Sequence, residues 1–287
     1  MVISSAALST ETSGRRAPGG GAIIALLAGV LLLAVIVLAA FPDAFVRIDP
    51  LLADPTNALQ PPSADHPFGT DQLGRDVLAR VIHGARTSLL LGLGAVLVSL
   101  LGGIVIGVLA GLSRGIVDRV LSRALDILFA FPDLLIAIVL IAILGVSLPT
   151  LIIAIGVGAI PGYARVLRSQ VQVVRSAGYV EAASGLGVPG VLVAIRHVLP
   201  NAMGPLLVLA TIGIGTAIIS GSALSFVGLG AQPPTPEWGL MLSESRNYLA
   251  LAPWLGVWPG VFLAVTVVAI NVVGRWLQRR FVSGTGR

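Results

Sequence analysis

The side chains able to do chemistry are few in this chain and poorly placed for catalysis. Its three histidines, His66, His83 and His197, are far apart, and none has the spacing of a metal-binding HExxH pair. There is no cysteine, which excludes thiol catalysis, disulfides and iron–sulfur clusters. All 18 basic residues are arginine. Without a lysine the chain can hold neither a P-loop nor a Schiff base. Any ATP-driven step must therefore use a nucleotide site on another polypeptide, and no metal or cofactor is expected on this one.

The composition says where such a chain lives. A soluble domain carries about 25% charged residues. These 287 residues are 11% charged and 56% hydrophobic, with a mean hydropathy of +0.98. A net charge of +5 and a pI near 10.9 would suit nucleic-acid binding. The arginines instead sit in short segments between apolar runs, which points to an integral membrane protein with no nucleic-acid partner.

Six apolar segments are long enough to be spans, roughly 22–41, 88–112, 128–146, 148–164, 202–229 and 252–273. Pro149 in the Ser147-Leu148-Pro149 turn separates the third from the fourth, which predicts a hairpin and not one long helix. The first span has a longer apolar core than a signal peptide, so it is expected to be an uncleaved anchor. With the N-terminus inside, the inner side holds Arg15, Arg16, Arg114, Arg119, Arg123, Arg165, Arg168, Arg175, Arg196, Arg275, Arg279, Arg280 and Arg287. The outside keeps only Arg47, Arg75, Arg80, Arg86 and Arg246, so the bias favours both termini inside. Arginines 75, 80 and 86 fit worst, because they crowd the outer end of the second span.

Small residues recur every four positions in three spans: Gly103, Gly107 and Gly111; Gly158 and Gly162; Gly213, Ala217 and Gly221. This spacing allows close helix approach in lipid, although channels and carriers both use it. Asp126 and Asp133 flank the third-span entry. Asp133 follows Phe131-Pro132 and is read as a structural or cavity-lining carboxylate, not as part of a proton relay. Between the first two spans, apolar residues at 77, 78, 81 and 82 form one helical face, read as a helix lying on the outer membrane surface.

The loop 165–201 is the longest on the inner side and is sharply punctuated. Val180, Ala183 and Leu186 fall on one helical face, with Glu181 and Ser184 on another. Gly185 and Gly187 are placed to end that helix, and Pro200 to break the chain before the fifth span. A short helix made slim by Ala182 and Ala183 suits insertion into a groove on a partner.

At this point the residues resemble a known family, the inner-membrane permeases of ABC importers for dipeptides, oligopeptides and nickel, specifically the C-type subunit. The likeness rests on His66-Pro-Phe-Gly-Thr-Asp-Gln-Leu-Gly-Arg-Asp-Val-Leu-Ala-Arg80 and Gly84-Ala-Arg-Thr-Ser-Leu89. It continues in Asp126-Ile-Leu-Phe-Ala-Phe-Pro132, in Glu181-Ala-Ala with Gly187 and Leu199-Pro-Asn201, and in the stretch 224–239. The basic Gly274-Arg-Trp-Leu-Gln-Arg-Arg280 departs from the family's acidic continuation.

The resemblance implies an all-α membrane protein with six spans and the type I importer permease fold. Residues 1–86 would hold the N-terminal tail, first span and external segment, 87–276 the permease core, and 277–287 a basic tail. It also implies partners: a homologous second permease, two ATP-binding subunits or domains carrying ATP and magnesium, an extracytoplasmic binding protein, and membrane lipid. Tyr179, Glu181, Ala182, Ala183, Gly187, Arg196, Leu199 and Pro200 would carry docking to the ATPase. Asp71, Arg75, Asp76, Pro233, Pro234 and Trp238 would lie where the binding protein docks. The expected function is ATP-driven import of peptides across a bacterial inner membrane. Nickel, glutathione or haem as substrate, a stand-alone secondary carrier and a membrane enzyme are the alternatives. The spans lack the buried ionisable chain a carrier needs, and no paired-Asp or Ser/His site supports an enzyme.

Overall fold

A computed structural model of the chain describes residues 19–284, apart from Arg114. Arg15, Arg16, Arg114 and Arg287, which enter the orientation argument, lie outside the described residues.

The first helix, α1 (Gly19–Ala40), is a plain apolar span, and α2 (Pro42–Phe45) is a single turn beyond it. Next comes α3 (Val77–Leu112), 36 residues long. At 1.5 Å per residue it reaches about 54 Å, well beyond a ~30 Å hydrocarbon core. Its first turns are the segment expected to lie on the membrane surface. Instead they are the buried beginning of the second span, with Val77, Ala79, Arg80, Val81 and Ala85 all sealed. Asp76 starts the helix by accepting the Ala79 N–H at 2.7 Å.

The third span is also corrected. Helix α4 (Ile116–Phe129) and helix α5 (Asp133–Leu144) meet at an 88° bend. Pro132 lacks an N–H and keeps Phe131 out of the helical region, so the ladder stops there. The 12 residues of α5 rise only about 18 Å and cannot span alone. Among the described residues five single helices are long and apolar enough to cross a membrane, and the bent pair makes a sixth pass if it counts as one.

Helix α6 (Leu148–Arg175) follows a turn at Gly145, whose φ of +88° favours glycine. The Ser147 side chain caps α6 by accepting the Thr150 N–H. The helix runs eleven residues past the expected end at Ala164, carrying Arg165, Arg168 and Arg175 with it. Two short helices follow, α7 (Gly178–Gly185) and α8 (Gly190–Val193), then a five-residue π turn and α9 (Leu199–Phe226).

Pro200 does not break the chain as expected. The Leu199 N–H bonds back to the Ala194 carbonyl, and the π turn carries one helix from Gly190 to Phe226. Helix α10 (Trp238–Ser245) and helix α11 (Trp254–Gly284) complete the described chain. Because α11 persists through 277–284, the boundary expected at 277 does not coincide with a helix end.

Helices α3, α6 and α9 cross at the centre. A Cβ on Gly103, Gly107 or Gly111 would meet Tyr163, Ala164 and Leu167, or Val171, at 2.5–2.9 Å, so the whole stripe faces α6. Gly221 is equally tight against Leu91, Gly213 against Tyr163, and Ala217 is buried beside them. Gly158 packs on the Asp133 backbone, whereas Gly162 has looser surroundings near Phe129.

Candidate coupling surface and outer charge cluster

At one end of the bundle, α7 hangs from α6 by the two-residue link Ser176-Ala177. Val180 is buried and Ala183 half-buried, so this face anchors the helix. Tyr179, Glu181, Ala182 and Ser184 are exposed, and Glu181 and Ser184 also line an open cavity. The C-terminus is a Schellman closure: Val188 N–H donates to the Ala183 carbonyl at 3.3 Å, and Gly187 N–H to Ser184 at 3.1 Å. Gly187 has φ +84°, which is the reason for a glycine there.

That closure turns Leu186 away from the anchoring face to which its spacing assigned it; it is 85% exposed. Val191 and Ile195, four residues apart, are exposed as well. Sequence reasoning missed these apolar surface residues. Val191 and Ile195 line the same open cavity as Val180 and Glu181. Arg196 and Pro200 are exposed, Leu199 is half-buried, and His197 lies edge-on to Tyr179 with ring centroids 6.5 Å apart.

Behind α7 lies a cavity of 710 Å³, walled by Val108, Val171, Val180 and Val198, with Arg175 and Glu181 also on its walls. The basic residues of α6 fasten this end. Arg175 donates to the Leu112 carbonyl at 3.0 Å, Arg168 pairs with Asp118 at 2.9 Å, and Arg165 pairs with Asp126 at 2.9 Å. Asp126 is thus an ion-pair partner at the helix end. These ties join α6 to the end of α3 and to α4.

At the opposite end is a second cluster. Asp71 Oδ2 accepts from Arg75 at 2.6 Å and from Arg80 at 2.5 Å, and Arg80 also donates to Glu244 at 2.8 Å. Asp76 pairs with His66 at 2.8 Å. Trp238 donates to the Val81 carbonyl at 2.9 Å, and Glu237 caps α10 through the Gly239 and Leu240 N–H groups. Asp71, Arg75, Asp76 and Trp238 are therefore sealed inside the chain and offer no side chain to a docking protein, contrary to expectation. Pro233 and Pro234 are exposed. Arg75 and Arg80, two of the three arginines that fitted the charge bias worst, are neutralised here by Asp71 and Glu244, whereas Arg86 is exposed. Nearby, hydrogen bonds from Thr56 and Asn57 hold the Asp54 carboxyl below its usual range, and the Asp54 backbone packs against Gly74.

Residues 103–287 match the family model described as "Binding-protein-dependent transport system inner membrane component". The chain belongs to this family. It is a permease of the ABC importer class and a multi-pass membrane protein. It is 40% identical to the dipeptide transport system permease protein DppC of Alkalihalophilus pseudofirmus, over 89% of this chain and 84% of that one. It is 44% identical to the glutathione transport system permease protein GsiD of Escherichia coli, over 76% and 72% of the two chains. The permease also shares its fold with a structure of the MetNI methionine ABC transporter in inward-facing conformations. That match has a TM-score of 0.58 at 20% identity, covering 70% of this chain and 96% of the other.

Proposed function

We propose that this permease forms half of a peptide translocation pathway in a bacterial cytoplasmic membrane. A homologous second permease supplies the other half, and an extracytoplasmic binding protein delivers substrate. ATP hydrolysis belongs to two partner subunits or domains, in keeping with a chain that has no lysine for a P-loop. The observation that carries this reading is α7: a short helix, exposed at Glu181 and Ala182 and rigidly closed at Gly187, standing over a cavity. Its tie to α6 makes it a lever, and the α6 ion pairs give the lever something to move.

Peptides are favoured as substrate by the likeness to the dipeptide permease over 89% of this chain. The test is uptake by the complete complex reconstituted in vesicles. ATP-dependent entry of a labelled dipeptide, not displaced by excess glutathione, is the expected result. Uptake by this chain alone, without ATP, would overturn the reading.

A further inference from the structure

We propose that α4 lies in the headgroup layer of the α7-side leaflet and holds an anionic phospholipid between Arg119 and Arg123. Residues 116, 119, 120, 123, 124 and 127 fall at i, i+3, i+4, i+7, i+8 and i+11, so they share one helical face. That face is Ile116, Arg119, Val120, Arg123, Ala124 and Ile127, and these six residues alone line a shallow groove of 600 Å³. Ile116, Val120 and Ile127 are 71%, 60% and 61% exposed.

The acidic residues of α4 are committed elsewhere: Asp118 to Arg168 and Asp126 to Arg165, both on α6. Arg119 reaches only its own helix, at the Gly115 carbonyl, and Arg123 makes no ion pair among the described residues. The exposed face therefore carries two uncompensated guanidinium groups, about 6 Å apart along the axis. Planar guanidinium groups suit phosphate oxygens.

The 88° bend decides between occupants. It turns α4 across the direction of the α5–α6 hairpin, as expected of a helix lying in an interface. Aliphatic side chains interleave with the arginines along that face. A bilayer boundary offers phosphates and acyl chains together at such a depth, whereas an acidic protein segment would satisfy only the arginines.

The test uses the intact complex, exchanged from phosphatidylcholine into vesicles with and without phosphatidylglycerol, then extracted gently. Lipid retained per complex is measured by mass spectrometry, with inorganic phosphate as a competitor. Wild type is expected to retain phosphatidylglycerol, more weakly as salt is added and undisturbed by free phosphate when ionic strength is held constant. The R119Q/R123Q pair is expected to bind it about thirtyfold more weakly, from two lost interfacial attractions, while R119K/R123K keeps most of it. Equal retention by wild type and the glutamine pair overturns the proposal. So does crosslinking of α4 to an acidic segment of a partner subunit, or displacement by free phosphate. If the glutamine pair does not assemble, the wild-type salt series decides: retention that does not fall with salt refutes the site.

Discussion

Replacing Asp71 by asparagine keeps the shape of the outer cluster and removes one charge. Asp71 accepts two charge-assisted bonds, from Arg75 and Arg80, and both arginines are 2% exposed. Each such bond contributes about 1.5–3 kcal/mol. Glu244 then faces two guanidinium groups alone. Breaking a buried pair costs about 3–5 kcal/mol, and the two estimates agree. For the purified complex this corresponds to a melting shift on the order of 10 °C, read from intrinsic tryptophan fluorescence. A second substitution sharpens the test. In D71N/R75M the remaining Arg80–Glu244 pair is balanced again, so the double variant should be more stable than the sum of the single effects predicts. A D71N melting point within about 2 °C of wild type would refute the reasoning, as would strict additivity in the double variant.

Other substitutions probe the packing and α7. Gly107→Ala places a methyl 2.8 Å from the Ala164 carbonyl and should cost about 1–3 kcal/mol in thermal stability. Gly29→Ala, with nothing within 4 Å, should be silent in the same assay. Gly187→Ala at φ +84° should cost about 1–2 kcal/mol locally. That loss should lower ATP-driven uptake while leaving the amount of folded permease in the membrane unchanged.

The broad plan was legible because its signals are local. Apolar length, the hairpin break just ahead of Pro149 (which itself sits in the first turn of α6), the four-residue glycine spacing and the punctuation around Glu181 each lie within one stretch of chain. What escaped depended on distant partners. Arg80 reads as a stray outer charge until Glu244, 164 positions away, is brought beside it. The start of α3 then looks amphipathic although both its faces are buried. Leu186 obeys the helical spacing of Val180, yet the Schellman turn at Gly187 aims it outward. Pro200 resembled a stop because a π turn, which satisfies Leu199 from Ala194, leaves no mark in composition. The bend at Pro132 lay inside an apolar run whose total length suited a span.

The central claim is that α7 docks this permease onto the subunit that hydrolyses ATP. A chain with no cysteine allows a direct measurement. Ala182→Cys, at an exposed position on α7, gives this chain a single thiol from which to crosslink in the assembled importer. The account predicts an adduct with the ATP-binding subunit, and none with that subunit from Pro233→Cys at the opposite end. An Ala182→Cys complex that transports normally, yet yields no ATP-binding-subunit adduct while Pro233→Cys does, would contradict it.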